Sequence, residues 1–392
     1  MDLTETAEQA AIRAECREWL RANLPWEYGA GLPPRFESLD EEVAFGREWQ
    51  AKLAQGRWVG VTWPTEYGGR GAGALTHYIV QEELARARAP ELVGRIGINL
   101  VGPTLMAHGT DEQKARWLPR LLSAEIMFCQ LFSEPGAGSD LAGVSTRATR
   151  TDGGWLVNGQ KVWTSYAQFA DFGLCLARSN PDAPKKQAGI SALVIDMRAP
   201  GVEVRPLKQI TAESDFNEVF FTDVFVPDDF VVGAVDDGWR VSSSTLTHER
   251  GTNPRQLVIH AQHLEELLRL ALARGGFDDP RVARRLAGAY TEVRIFQLHN
   301  WRSLSRIEAG RPLGPEGSAL KLYWSEMSQR LHALALDVLG PAAVLSRGAR
   351  DLPGDGEWQR SWLYYQSASI FAGTNEIQRN IIGERVLGLP RS

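Results

Sequence analysis

Apolar residues recur at three- and four-residue spacing through the first 125 positions. The stretches EEVAFGREWQAKLAQ, ALTHYIVQEELARAR and TDEQKARWLPRLLS carry this period and predict amphipathic helices with turns between them. WPTEYGGRGAG, between the first two, is rich in proline and glycine and reads as a loop. From about residue 126 the period shortens. STRATRT, GWLVNGQKVWTS, FGLCLARS, ISALVIDM, VEVRPL and NEVFFTDVFVP are short β-rich runs, split by DGG, NG and APG, the punctuation of antiparallel hairpins in a barrel or sandwich. After Asp237 long helical patterns return in HAQHLEELLRLALAR, RVARRLAGAYTEVRIFQLHNWRSLSRIEAG and SALKLYWSEMSQRLHALALDVLG, lengths that suit a bundle. The pattern predicts an α+β multidomain chain: an all-α domain over 1–125, a middle antiparallel β barrel or sandwich over 126–235, and an α-helical bundle over 236–392. A cleft lined by all three is the natural place for a cofactor.

Length agrees with several packed parts, since 392 residues exceed the size at which single cores stop growing. The 43 lysines and arginines against 48 acidic residues are scattered, leaving no basic tract for nucleic acid or anionic membrane. No window approaches eighteen apolar residues, so no membrane span is expected. The acidic, helical start MDLTETAEQAAIRAECREWL lacks the pattern of a secretory signal. Cys16, Cys129 and Cys175 have neither metal-ligand nor redox-pair spacing; they read as packing residues in a reducing compartment, and no metal is expected. These features together point to the cytoplasm.

Four motifs carry candidate chemistry. CQLFSEPGAGSDL, Cys129 to Leu141, joins a β-type run to a glycine turn in which Ser139 or Asp140 suits a helix cap. NGQKVWTS places Trp163 and Ser165 at a hairpin end. IFAGTNEIQRN, near the C-terminus, has a glycine turn at Gly373 and a capping choice of Thr374 or Asn375. With GTDEQKARWLPRL upstream, and in this order, they resemble the acyl-CoA dehydrogenase family through essentially the whole chain.

The resemblance implies an N-terminal helical domain, a middle β domain, a C-terminal four-helix bundle and non-covalent FAD between them. It assigns flavin contacts to Gln130, Phe132 and Ser133, a stacking role to Trp163 and a hydrogen bond near the reactive nitrogen to Ser165. An aromatic face excludes water and neutral donors stabilise charge on a reduced ring. Ser139 matches a contact to the CoA side of the substrate. Thr374, Asn375 and Glu376 match positions holding the FAD phosphates and ribityl region. Arg274 and Phe277 match contacts to the diphosphate of a neighbouring subunit, implying a homotetramer or homodimer.

Many members carry the α-proton-abstracting glutamate just before the Gly-Thr pair; here that position is Ala372. THERGTNP offers Glu249 followed by Arg250, at what should be the start of the first bundle helix. This looks like isovaleryl-CoA and long-chain acyl-CoA dehydrogenases, whose base lies on that earlier helix. Pro254 must then fall in a first turn. The resemblance implies that Glu249 is the base, that Arg250 orients substrate or base, and that the Ala372 backbone amide and a ribityl hydroxyl bond the thioester oxygen. The product is a trans-2-enoyl-CoA, the electrons passing to an electron-transferring flavoprotein.

Departures sit at the adenine end. Asp278 replaces a glycine, Arg285 stands near a glutamine position, and DVLGPAA has Asp337 and Pro341 in place of glutamine and glycine. A carboxylate beside a diphosphate is unfavourable. These changes leave room for a heteromer with a related subunit. Competing readings are a flavin oxidase or monooxygenase on the same scaffold, and a catalytically silent or nucleic-acid-binding subunit, the last opposed by a net charge of −5. Acyl chain length, branching and ring content are not legible.

Overall fold

The computed structural model describes residues 5–25, 28, 36–249, 254–311, 313–350 and 352–390, the side chains of 247–249 excepted. They fall into two units. A sheet unit comprises Asn23–Ala72 and Ala89–Glu249; a helical unit comprises Met1–Ala22, Gly73–Arg88 and Arg250–Ser392.

In the sheet unit the β-rich runs become eight strands: β1 (Phe128–Leu131), β2 (Arg147–Thr151), β3 (Gly154–Ser165), β4 (Phe172–Arg178), β5 (Ile190–Asp196), β6 (Val202–Leu207), β7 (Phe216–Pro227) and β8 (Val231–Val232). They form one sheet in the order β6-β7-β3-β2-β4-β5-β8, with β1 added in parallel on β4. β6 and β8 stand at its ends, so the sheet is open rather than closed into a barrel. Neighbours are antiparallel except β1 with β4 and β2 with β4.

DGG turns β2 into β3, but NG does not end a strand. Asn158-Gly159 lies inside twelve-residue β3, where the register to β7 shifts between Val157 and Gly159. A Cβ on Gly159 would lie 2.6 Å from the Thr146 hydroxyl, so glycine there serves close approach within a bulge. A second register shift falls between Lys161 and Thr164. Leu131, Val157, Leu193, Ile195 and Val219 pack the core on this sheet, with Cys129 and Cys175 among them. The helix Asp111–Leu122 opens with a Thr110–Gln113 capping box and brings buried Trp117 edge-on to Phe230, ring centroids 5.3 Å apart. The helix Gly238–Glu249 closes the unit.

The expected opening of the first bundle helix at Glu249-Arg250 is corrected: Glu249 is the last described residue of a helix that begins at Gly238, and the described part of the next helix is Pro254–Ala273. Arg250 lies outside the described residues.

The helical unit contains Ala7–Asn23, Ala74–Arg86, Pro254–Ala273, Pro280–Glu308, Gly317–Leu339, Glu357–Gln366 and Asn375–Ile381. Leu264, Leu267, Leu286, Val293, Phe296, Leu331 and Leu334 fill its core. One side of Gly317–Leu339 is polar yet internal. Ser328 Oγ meets His260 Nε2 at 2.7 Å, His332 Nε2 meets His263 Nδ1 at 3.1 Å, and Tyr365 stacks on His332 at 4.4 Å. Burial holds these imidazoles neutral, His260 pushed down to about 3 and His332 to about 4 from an ordinary 6.5.

A depressed imidazole pKa adds stability that is present above the unfolded value and lost as pH falls through the folded one. We therefore expect the urea midpoint of the helical unit to fall as pH drops from above 6.5 towards 4. His332→Phe should flatten that profile; parallel curves for the two proteins would show that the histidines do not set it.

Candidate active site

Trp163 is the side chain that the second register shift in β3 re-aims. Its backbone is left-handed, φ 59°, and its indole is 63% exposed, braced edge-on by Phe216 with ring centroids 6.3 Å apart. A bulky residue adopts φ > 0 only where its surroundings over-determine it. Two residues earlier the fully buried Lys161 supplies the constraint: its Nζ donates to Glu134 Oε1 (2.8 Å), Phe132 O (3.1 Å) and Leu176 O (2.7 Å). Glu134 accepts in addition from Ser145 N and Oγ (2.6 and 2.7 Å) and Thr146 N (2.9 Å). Burial alone would raise the Glu134 pKa, but the Lys161 ammonium and these donors outweigh it and lower it to about 2.

The same lysine ties the end of β1 to β3. Val162 N donates to Ser133 O at 3.0 Å beside the Lys161–Phe132 bond, so Gln130, Phe132, Ser133, Trp163 and Ser165 belong to one cross-braced patch. Gln130, Ser133 and Ser165 are half-buried and Phe132 is buried. Ser139 is exposed, in the loop beyond a tight Glu134–Ala137 turn closed by two backbone bonds of 3.0 Å.

In the helical unit Ala372 and Gly373 are both left-handed, φ 54° and 83°. Among the described residues the amides of Ala372, Gly373 and Thr374 meet no carbonyl. Gln378 Nε2 instead donates to Ala372 O (3.0 Å) and Gly373 O (3.1 Å). Thr374 is the helix cap, accepting from Ile377 N at 3.3 Å. Asn375 faces inward: its Oδ1 accepts from Ser325 Oγ (2.9 Å) and Lys321 Nζ (3.1 Å), anchoring the loop to Gly317–Leu339. Glu376 is exposed, its carboxyl lowered by its own amide and the Thr374 hydroxyl.

Arg274 donates to the last carbonyls of Gly317–Leu339, Nε to Val338 O (3.2 Å) and Nη2 to Leu339 O (2.9 Å). Phe277 is 44% exposed. Asp337 is not a bare carboxylate, because Arg285 Nη1 lies 2.6 Å from it. Asp279 caps the helix that Pro280 opens. Glu249 is the last described residue of Gly238–Glu249, with its side chain outside the description.

The three parts of the chain match family models for the acyl-CoA dehydrogenase N-terminal domain (residues 6–125), middle domain (129–224) and C-terminal domain (236–387). The acyl-CoA dehydrogenase IpdE1 of Mycobacterium tuberculosis is 42% identical over 97% of both chains. The chain belongs to the acyl-CoA dehydrogenase family. Among solved structures, one titled Tcur3481-Tcur3483 steroid ACAD has a TM-score of 0.86 at 30% identity, covering 100% of both chains. The ChsE4-ChsE5 complex of M. tuberculosis gives 0.85 at 34% identity, again over 100% of both.

Acyl-CoA dehydrogenases are FAD-dependent oxidoreductases, and the residues present fit a flavin. The sheet unit offers a bare aromatic face beside neutral half-buried polar side chains, and the nearby carboxylate of Glu134 is neutralised by Lys161. The helical unit offers the backbone amides of 372–374, which meet no carbonyl among the described residues. Lys161, Glu134 and Gln378 were missed from sequence. A lysine followed by valine and tryptophan in a strand was the available signal for the first; Glu134 and Gln378 carried none.

Removing one partner of a buried pair strands the other charge, a loss of about 3–5 kcal/mol. Lys161→Met is expected to destabilise the sheet unit by that amount in urea unfolding at pH 7. Lys161→Met/Glu134→Gln should recover part of the loss; a double variant no better than the single would contradict the pairing.

Proposed function

We propose that this chain dehydrogenates the α,β-bond of a CoA thioester to the trans-2-enoyl-CoA, with Glu249 as base. What supports the reading is Ala372: one methyl where many relatives place a carboxylate, on a left-handed backbone whose amide has no acceptor among the described residues. A methyl cannot accept a proton, so the base comes from another residue, and the amide suits a donor to a thioester oxygen.

An α-proton of a thioester is too weakly acidic for a carboxylate in water, so the developing enolate must be met by fixed donors. Ala372 N–H is one. Glu249 accepts the proton, and burial beside an acyl chain raises a carboxyl towards the useful range. FAD, when bound, supplies the acceptor for the β-hydrogen, which leaves as hydride with both electrons. Trp163 excludes water from one side and Ser165 holds a neutral donor. Gln130, Phe132 and Ser133 would position the ring; Thr374 and Glu376 would contact ribityl and phosphate. Asn375 would act through its hold on Ser325 and Lys321. Arg274 and Phe277 would serve a neighbouring subunit's diphosphate, Ser139 would contact CoA, and Arg250 would orient the base or substrate.

The acyl group we assign is bulky and ring-bearing, on the strength of the steroid ACAD title at 30% identity over the whole chain. The two-chain title of the ChsE4-ChsE5 complex supports assembly with a related subunit rather than with identical copies alone. An electron-transferring flavoprotein completes the cycle as electron acceptor. Three buried cysteines, with no disulfide among the described residues, suit a cytoplasmic setting.

Anaerobic titration of the flavin-loaded protein, with its partner subunit where one co-purifies, against CoA thioesters with straight, branched and ring-bearing acyl groups tests this. Bleaching of flavin absorbance is expected, strongest with ring-bearing thioesters. Glu249→Gln should keep flavin yet bleach about 10²- to 10⁴-fold more slowly. Full activity in that variant would eliminate Glu249 as base, and no bleaching across the panel would favour an oxidase or silent subunit.

A further inference from the structure

A backbone amide acts as an oxyanion donor only if its peptide plane cannot turn. An alanine at φ 54° has no means of its own to stay there, since the left-handed region is unfavourable for any residue with a Cβ. Two anchors hold it. On the N-terminal side, Phe371 N donates to Ser367 O at 3.0 Å. On the C-terminal side, Gln378 Nε2 donates to Ala372 O and Gly373 O at 3.0 and 3.1 Å. The peptide that carries the Ala372 N–H lies between these anchors.

Gln378 is fully buried, and among the described residues its Oε1 has no partner. Both amide hydrogens, and no other polar atom of that side chain, are committed to the loop. Gly373 fits the same arrangement twice over: φ is 83°, and a Cβ there would lie 2.6 Å from Gln378 Nε2. The helix that carries Gln378 is itself fixed, by the Thr374 cap and the bonds of Asn375 to Ser325 and Lys321.

We propose that Gln378 is a positioning residue of the dehydrogenation: a two-pronged clip that turns the Ala372 and Gly373 carbonyls inward and so leaves the loop amides facing outward as donors. This rests on the reading of Ala372 N–H as the thioester-oxygen donor. Gln378 touches no substrate; it acts through the backbone.

Two variants separate the clip from general damage. Gln378→Leu keeps bulk without hydrogens to donate. Gln378→Glu places a carboxylate against two carbonyl oxygens, which disfavours its ionised form, whereas the protonated carboxyl can donate again. In flavin-free protein, NMR order parameters of the amides 372–374 should fall in Gln378→Leu from the rigid range near about 0.85 towards about 0.6 or lower, with the core of Gly317–Leu339 still rigid. In loaded enzyme, kcat should fall tenfold or more while KM changes little. Relative to the parent at each pH, Gln378→Glu should regain both a rigid loop and kcat as pH falls, and Gln378→Leu should not. Unchanged order parameters in Gln378→Leu would overturn the clip and leave the Ala372 reading standing. A mobile loop with full kcat would overturn the Ala372 amide as donor, and with it the role given to Gln378. Loss of kcat in Gln378→Glu with no recovery in acid would also overturn the clip.

Discussion

An ammonium buried without water must recover from the protein every acceptor and the counter-charge it gave up. Lys161 does so with one carboxylate and two carbonyls drawn from two segments: Phe132 and Glu134 just beyond β1, and Leu176 in β4. The cross-braced patch of the sheet unit proposed to meet the flavin is a consequence. With the end of β1 and β3 held at this point, the irregularity at the end of β3 is confined to Val162 and Trp163, and the Trp163 indole is thrown outward while Lys161 and Thr164 stay paired with β7.

The helical unit repeats the logic with neutral groups. Trp163 and Ala372 are both non-glycine residues at positive φ, and beside each stands a fully buried polar side chain donating to backbone carbonyls. Lys161 does it with charge, Gln378 with an amide. At these two of the non-glycine positions with positive φ, ordinary hydrogen bonds next door offset the unfavourable backbone. Charge at the adenine-end departures is managed likewise: Asp337 is matched by Arg285, so the two substitutions form one neutral pair rather than a repulsive carboxylate.

Much of this was legible in the sequence. The 3.6 and 2.0 periods located the described helices and strands, Thr374 was a capping candidate before it was a cap, and four motifs in order pointed to the family. The hairpin reading of Asn158-Gly159 was not met, because a dipeptide favoured in turns is also what a crowded bulge requires, and only Thr146 lying across from it decides between them. Glu249 was read as opening a helix, whereas it lies at the far end of the described stretch Gly238–Glu249.

Local properties are written along the chain: which residues tolerate a helix, alternate in a strand, or cap an end depends on neighbours within a few positions. The sequence alone therefore determined the elements, their order and the site segments. Partnership depends on packing between distant stretches, and it is decided only when the chain closes on itself. Tertiary structure chose Glu134 for Lys161 across 27 positions, Ser325 for Asn375 across 50, and an open sheet over a closed one. It also set Gln378 against the carbonyls of Ala372 and Gly373, only six and five positions away, because buried donors must find acceptors and only the folded loop presents these two.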